Sequence, residues 1–401
     1  MDLIKLIGIF VVILIFIKLN KPLYISVSMG IFTCILIYNI PIKESLKLIV
    51  KGVTDNNTIN LILAFYTITF IQRMMESKGF LLLAEKTLYA IFNSKRVNAM
   101  VAPFIIGILP SPGAVLIAAP IVENSAGKHL KIEEKAFVAS HFRHISESFL
   151  PTYSSVLLAL RLGNINTSKF VFYMIPMVVL LFLLGYFFYI KKIPKEKYIK
   201  SNINKINEIK KLVKYLWPII LVIVLILGFG LPVYYATIIT IMIFIILGKF
   251  KILELIPMLK TSFELRLILS TITIIIFSKF ISYIGIIYKL PIYFNRLDIA
   301  PVYVFMIIFM ISTLMAGSQA TIALVIPLAF ATIPSGGVPL MVLLMCVTYI
   351  TMQISPTHIC LAIVTEHFNI TFIELFKKTF YIFIIFIISS LIYFYILTKI
   401  V

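Results

Sequence analysis

Apolar runs of membrane length recur along the whole of this 401-residue sequence. Crossing the hydrocarbon core of a bilayer takes about 20 mainly apolar residues in a helix. Lipid offers no hydrogen-bond partners, so such segments must pair their own backbone groups, which favours α-helices. A mean hydropathy of +1.08 and a charged fraction of 13% are far from a soluble composition. The sequence therefore predicts an all-α polytopic protein in the lipid bilayer. The clearest runs are 3–19, 23–42, 59–75, 170–190, 213–227, 233–247 and 372–397.

The net charge of +20 lies between the apolar runs rather than on a polar domain, which argues against a nucleic-acid partner. Its densest part is 191–214, with nine lysines and two glutamates. Because cytoplasmic loops carry an excess of lysine and arginine, we expect this central loop on the cytoplasmic side of the cell membrane. With ten full spans and two re-entrant segments, 24 basic residues fall in cytoplasmic loops and nine in external loops. Both termini are then predicted to be external.

The second half of the chain repeats the first at a nearly constant offset. The segment 60–80 aligns without gaps to 266–286, with six identities in 21 positions. The pairs Ser111 with Ser318 and Asn164 with Asn369 follow at similar offsets. We therefore divide the chain into a first repeat, 1–190, a basic linker, 191–212, and a second repeat, 213–401. Each repeat is predicted to have five transmembrane helices, and this odd number inverts the second relative to the first. Inverted repeats with interrupted helices are typical of secondary transporters.

Four helix-breaking stretches interrupt the apolar pattern, two in each repeat. "LPSPGA" and "MAGSQAT" are interpreted as the tips of re-entrant helical hairpins, near 109–114 and 315–321. "ISESFLPTYSS" and "MQISPTHIC" predict one broken helix per repeat, near 146–153 and 353–358. Irregular backbone at membrane depth is tolerated only beside protein or a cavity. Helix N-termini at such breaks attract anions, and their free carbonyls suit Na+.

The most polar stretch of any predicted span runs from Ala139 to Pro151. In it His141, His144 and Ser148 share one helical face, and Arg143 lies four residues before Glu147, close enough to pair. Such charges are either a neutralised structural pair or a functional site facing a cavity. Histidines here could also couple proton movement. The ion-coupling candidates are Arg143, His144, Glu147 and Ser148.

The breaks also supply the predicted substrate site, whereas no metal site or cofactor is predicted. The three cysteines lie in apolar segments and show no spacing typical of metal ligands. Thr379, in the last span, is expected to face lipid. The predicted substrate-binding residues are Ser111, Gly113, Ser318, Gln319, Thr321, Pro151, Thr152, Ser355, Thr357 and His358.

These hairpin tips and broken helices resemble those of the ion transporter superfamily, which includes divalent-anion/sodium symporters and gluconate and citrate permeases. The motifs "LPSPGA", "AAPIVE" and "SPTHICL" are most similar to a membrane branch of archaea and bacteria defined by a domain of unknown function. The resemblance implies an elevator-type mechanism and a homodimer. It also implies that Ser318-Gln319-Ala320-Thr321 corresponds to a Ser-Asn-Thr substrate motif, with Gln in place of Asn. The first tip keeps only Ser111 of that motif, which leaves dicarboxylate specificity open.

Three classes of function fit these features. The leading one is a secondary active transporter of a small organic anion, a carboxylate or sugar acid, coupled to Na+ or H+. A membrane-embedded enzyme with a polar His/Glu/Arg site is the second, although the sequence has no "HExxH" and no "GxSxG" motif. An anion channel is the third. The sequence favours a transporter and predicts no enzymatic activity.

Overall fold

The computed structural model describes residues 2–19, 21–80, 83–84, 87, 94–108, 114–195, 205–285, 299–356 and 358–401. Within these ranges the chain forms 18 α-helices and no β-strand. The helices are α1 Asp2–Lys18, α2 Leu23–Ile37, α3 Ile42–Thr54, α4 Asn56–Ser77, α5 Lys95–Gly107, α6 Ala114–Ala126, α7 Ile132–Ile145, α8 Ser154–Leu162, α9 Thr167–Phe188, α10 Lys205–Leu227, α11 Val233–Leu247, α12 Ile252–Thr261, α13 Leu265–Tyr283, α14 Pro301–Ala316, α15 Ser318–Thr332, α16 Gly337–Met352, α17 Ile359–His367 and α18 Phe372–Ile400.

Among the described residues, five helical segments are long and apolar enough to cross a membrane. Four further apolar helices have 15 or 16 residues. The prediction of an all-helical protein with several membrane-spanning segments is confirmed at this level. The five candidate spans are Thr58–Ser77, Thr167–Phe188, Leu265–Tyr283, Pro334–Met352 and Phe372–Ile400.

The same helix order occurs twice, in α1–α9 and again in α10–α18. Residues with a left-handed backbone end corresponding helices in the two halves, as the turns after α2 and α11 show. Asparagine and glycine adopt this conformation at low cost, which explains five of these six helix ends; the sixth, at Lys249, has the same backbone without that advantage. The corresponding left-handed positions are Asn39 and Lys249, Gly79 and Gly285, and Asn164 and Asn369.

Packing between the two halves is reciprocal. Helix α2 packs on α13, and their counterparts α11 and α4 pack on each other. In the same way, α6 packs on α17, and their counterparts α15 and α8 pack on each other. Helix α7 packs on α18, and their counterparts α16 and α9 pack on each other. The centre of the molecule is formed by α7 and α16, whose residues from Ala136 to Ile145 and from Val338 to Met352 are buried without exception.

Two local expectations change in the structure. The predicted linker 191–212 is helical from Lys205 onward, because α10 begins there. Good helix-forming residues and a 2.6 Å ion pair between Lys211 and Glu208 account for this extension. Thr379 does not face lipid. It is buried, with 3% of its surface exposed, and its hydroxyl donates to the Leu375 carbonyl at 3.1 Å.

Candidate functional site

Both central helices stop before a proline. The first, α7, ends at Ile145 and is followed by a 3-10 turn, Ser146–Ser148, after which α8 begins at Ser154. The second, α16, ends at Met352, and α17 begins at Ile359. Pro151 and Pro356 lie in these gaps and disfavour helical geometry in the residue before them. Each half therefore has an interrupted helix in the protein core.

The first interruption holds a buried ion pair. Arg143 lies in the last turn of α7 and donates from a guanidinium nitrogen to Glu147 at 3.0 Å, which confirms the predicted pairing. The two partners differ in environment, since the Arg143 side chain is 2% exposed and that of Glu147 is 17% exposed. The same Arg143 nitrogen lies 3.8 Å from the sulfur of Cys360 in α17. The Arg143 side chain thus contacts residues from both halves of the chain.

The two halves also meet through a pair of histidines. The Nε2 atoms of His144, in α7, and His358, at the start of α17, are 3.0 Å apart. The other ring nitrogen of His144 lies 2.6 Å from the Ser140 carbonyl oxygen. A carbonyl oxygen can only accept, so this Nδ1 carries the hydrogen and Nε2 presents a lone pair to His358. Cys360 completes a group of three potential metal ligands whose ligand atoms all lie within 4.8 Å of one another.

His141 belongs to a different environment from His144. Its Nε2 is 3.0 Å from the carbonyl oxygen of Leu181 in α9, and its ring stacks on Phe137. His141, His144 and Ser148, which the sequence places on one helical face, therefore have different partners in the structure. Ser148 lies in the 3-10 turn and donates its hydroxyl to the Ile145 carbonyl at 2.7 Å, which satisfies it locally.

The start of the first hairpin adjoins this interruption. Gly107, the last residue of α5, packs so closely on α7 that a methyl group in its place would lie 1.9 Å from the Arg143 carbonyl oxygen. The Tyr153 hydroxyl donates to the Gly107 carbonyl. Ser146 donates to the Phe104 carbonyl at 3.1 Å. The predicted tip residues Ser111 and Gly113 lie outside the described residues, as does Thr357.

The second hairpin tip adjoins the other interruption. A sharp turn at Gly317, with φ of 81°, separates α14 from α15. Thr321, in the first turn of α15, is fully buried; its hydroxyl donates to the Gly317 carbonyl at 3.0 Å and accepts from Thr313 at 3.3 Å. Ser355 lies 3.4 Å from the Thr313 carbonyl oxygen. The structure therefore brings Ser318, Gln319, Thr321 and Ser355 into one region. The hydroxyl hydrogen of Thr321 is donated to the Gly317 carbonyl within the tip.

Several buried polar atoms around the breaks have no hydrogen-bond partner within the described part of the chain. Two belong to predicted site residues, Thr152 Oγ1 and Gln319 Nε2. Three others, on the last turn of α16 and just beyond it, were not singled out by the sequence: Tyr349, Thr351 and Gln353. Buried polar atoms without partners are rare in native proteins and mark places where a ligand or water binds. Cys360 was missed as well, because its only local signal is an apolar segment.

Buried charge, interrupted helices and unpartnered polar atoms at the protein centre describe a helical membrane protein with a polar core site. The chain belongs to the family described as "Protein of unknown function (DUF401)", whose model matches residues 2–397. This agrees with the expectation of a family defined by a domain of unknown function. The chain shares its fold with the crystal structure of the YdaH transporter of Alcanivorax borkumensis, which is described as having an unusual topology. The TM-score is 0.63 at 11% identity, covering 88% of this chain and 87% of that one. No curated protein matches the sequence.

Proposed function

We propose that the protein is a secondary active transporter of a small organic anion. The observation that carries the proposal is the meeting of two interrupted helices, one from each half, around the buried Arg143. The shared fold with a protein described as a transporter supports it. A channel needs a continuous open path, whereas here the helix that leads to the second tip contacts the break at Ser355, which favours alternating access.

The architecture that we propose is a pair of inverted repeats of the ion transporter superfamily type. The doubled helix order and the reciprocal packing support a two-fold relation between α1–α9 and α10–α18. Five crossings in each half, with α5–α6 and α14–α15 as re-entrant hairpins, would invert the second half. In this arrangement the central loop is cytoplasmic, the protein is a homodimer in the cell membrane, and one repeat-derived unit moves by an elevator mechanism.

The substrate class follows from the charge and donors at the breaks. Arg143 supplies a positive charge, and the N-termini of α8, α15 and α17, which begin at the breaks and at the second tip, supply backbone N–H groups. Gln319 supplies an amide nitrogen that has no partner within the described residues. These groups fit a carboxylate or a sugar acid. The carbonyls that end α7 and α16 would bind Na+, and Glu147 or a histidine would carry H+ if protons drive transport.

The test is uptake of labelled carboxylates and sugar acids into proteoliposomes under an imposed Na+ or H+ gradient. Candidate substrates are first chosen by thermal shift of the purified protein, because a ligand that binds the native state raises its apparent stability. We expect uptake that accumulates substrate against its gradient and collapses when the ion gradient is removed. Gln319→Leu should weaken it, whereas His129→Ala, on an exposed loop, should not.

Two results would overturn the proposal. Flux that follows the substrate gradient alone, whatever the ion gradient, would indicate a channel. Chemical conversion of the added compound by purified protein would indicate an enzyme.

Orientation is tested separately with single cysteines in a background in which Cys34, Cys346 and Cys360 are replaced. Labelling of position 204, but not of position 4, by an impermeant reagent in intact cells would reverse the proposed topology.

A further inference from the structure

The three ligand atoms at the contact between α7 and α17 have the composition of a transition-metal site. They are two imidazole nitrogens, from His144 and His358, and one thiol sulfur, from Cys360, all within 4.8 Å of one another. His144 and Cys360 are buried, and His358 is half-buried. Imidazole and thiolate together are ligands typical of zinc. They come from positions 144, 358 and 360, so no sequence spacing reveals the group.

The hydrogen bonding of His144 prepares it for coordination. Its Nδ1 donates to the Ser140 carbonyl at 2.6 Å, which leaves the Nε2 lone pair directed at the group. Histidines that bind metals almost always donate their second ring N–H to a carbonyl or carboxylate in this way. The Cys360 sulfur lies 3.8 Å from the Arg143 guanidinium nitrogen, on the side of α17 that faces α7.

We propose that His144, His358 and Cys360 bind one zinc ion and leave its fourth position open. In a tetrahedral site with Zn–N bonds of about 2.05 Å, two nitrogen ligands are about 3.3 Å apart. The observed Nε2–Nε2 separation of 3.0 Å is close to that value. Nitrogen and sulfur ligands would be about 3.6 Å apart. The sulfur, at most 4.8 Å from either nitrogen, therefore needs to move by only about 1 Å.

Local charge is compatible with this ion. Zinc with one thiolate and two neutral imidazoles has a net charge of +1, and the adjacent Arg143 and Glu147 form a neutral pair. The open position would accept an anionic oxygen, from Glu147 or from a bound carboxylate. The inference does not depend on transport. It requires only that the three side chains come together as described.

The alternative explanation of the histidine contact is a hydrogen bond from Nε2–H of His358 to Nε2 of His144. The two explanations differ in what the protein binds. Purified protein is stripped with a chelator and titrated with Zn2+ in competition with a chromophoric chelator. Co2+ is then used as a spectroscopic probe. We expect one Zn2+ per chain and, with Co2+, a thiolate-to-metal charge-transfer band.

Matched variants identify the ligands. Loss of a group that only hydrogen-bonds to a metal ligand weakens metal binding roughly 10–100-fold. We expect a larger loss of Zn2+ affinity in each of His144→Ala, His358→Ala and Cys360→Ser. His129→Ala, which is exposed, and Cys346→Ala, which is buried elsewhere, should leave it unchanged. Thermal unfolding of the stripped variants checks that each is folded.

The charge-transfer band keeps the test valid if a ligand variant does not fold, because it is measured on the unaltered chain. Absence of stoichiometric Zn2+ from the unaltered protein, or a Co2+ complex without the thiolate band, would overturn the inference. Binding that survives in folded His144→Ala and Cys360→Ser would do the same. Transport measured with and without Zn2+ is a separate readout, so failure of the metal site leaves the transport proposal to be judged alone.

Discussion

The pairing of Arg143 with Glu147 predicts opposite outcomes for a structural and a functional role. Glu147→Gln leaves the Arg143 charge buried at 2% exposure without its counter-charge. Breaking a buried pair in this way costs about 3–5 kcal/mol of folding free energy. Arg143→Met leaves Glu147, which at 17% exposure can be hydrated or protonated, so the cost is smaller, about 1–3 kcal/mol.

Removing both charges together should restore stability. Replacing a buried ion pair by apolar residues of similar volume is often neutral or stabilising. Arg143→Met/Glu147→Leu is therefore expected to unfold within about 1 kcal/mol of the unaltered protein, well above the Glu147→Gln variant. If Arg143 is the counter-charge for an anion, this stable double variant should still fail to bind the substrate.

Stability is measured by SDS-induced unfolding in mixed micelles, followed by the fluorescence of Trp217, the only tryptophan in the sequence. Binding is measured on the same samples by thermal shift with the anion found in the screen. A stable double variant that still binds would show that the pair is only structural. Equal destabilisation by the two single changes would refute the argument from unequal burial.

Four other substitutions test the site and the packing around it. Gly107→Ala places a methyl group 1.9 Å from a backbone carbonyl oxygen of α7 and should cost about 1–3 kcal/mol, whereas Gly8→Ala, inside α1 with no atom within 4 Å, should be neutral or stabilising by up to about 1 kcal/mol in the same unfolding assay. Gln319→Leu removes an amide nitrogen with no partner in the described chain, so it should weaken binding of an anionic substrate about 12- to 160-fold, as expected for a lost hydrogen bond to a charged group, without loss of stability. Thr321→Ala should do the reverse, since its hydroxyl is hydrogen-bonded within the tip; equal effects on binding would contradict this contrast. Thr379→Val should change stability by less than about 1 kcal/mol and leave ligand thermal shifts unaltered.

Periodicity and helix-breaking residues were sufficient to predict an all-helical chain with long apolar helices and two interrupted ones. Apolar runs, prolines and asparagines act locally, and the two central helices end four to six residues before Pro151 and Pro356, which keep the chain from resuming a helix directly before them. The i, i+4 spacing of Arg143 and Glu147 is also local, so their pairing could be predicted and is observed at 3.0 Å. Interactions within one helical turn are thus accessible from the sequence.

Contacts between distant segments could not be predicted from the sequence in this way. His144 and Cys360 are 216 positions apart, and a lone cysteine in an apolar run gives no signal of a ligand. His141 and His144 have similar local sequence contexts, yet one contacts α9 and the other α17, because a rotation of about 60° separates positions three apart on a helix. Thr379 looked lipid-facing because nothing in its span marks the face that packs on the core.

The two interrupted helices contribute unequal chemistry to the centre of the protein. α7 and the turn after it carry the ionisable groups Arg143, His144 and Glu147. Around the corresponding break in α16, at residues 353–356 and 358, the one ionisable side chain is His358, and Tyr349, Thr351 and Gln353 have atoms with no partner in the described chain. A full charge attracts an anion but binds it in many orientations, whereas neutral donors and acceptors fix its geometry. The first half would therefore supply the attraction for a substrate and the second half its selectivity. Because the duplicated helices occupy equivalent places, this division of roles comes from side chains alone and not from the backbone.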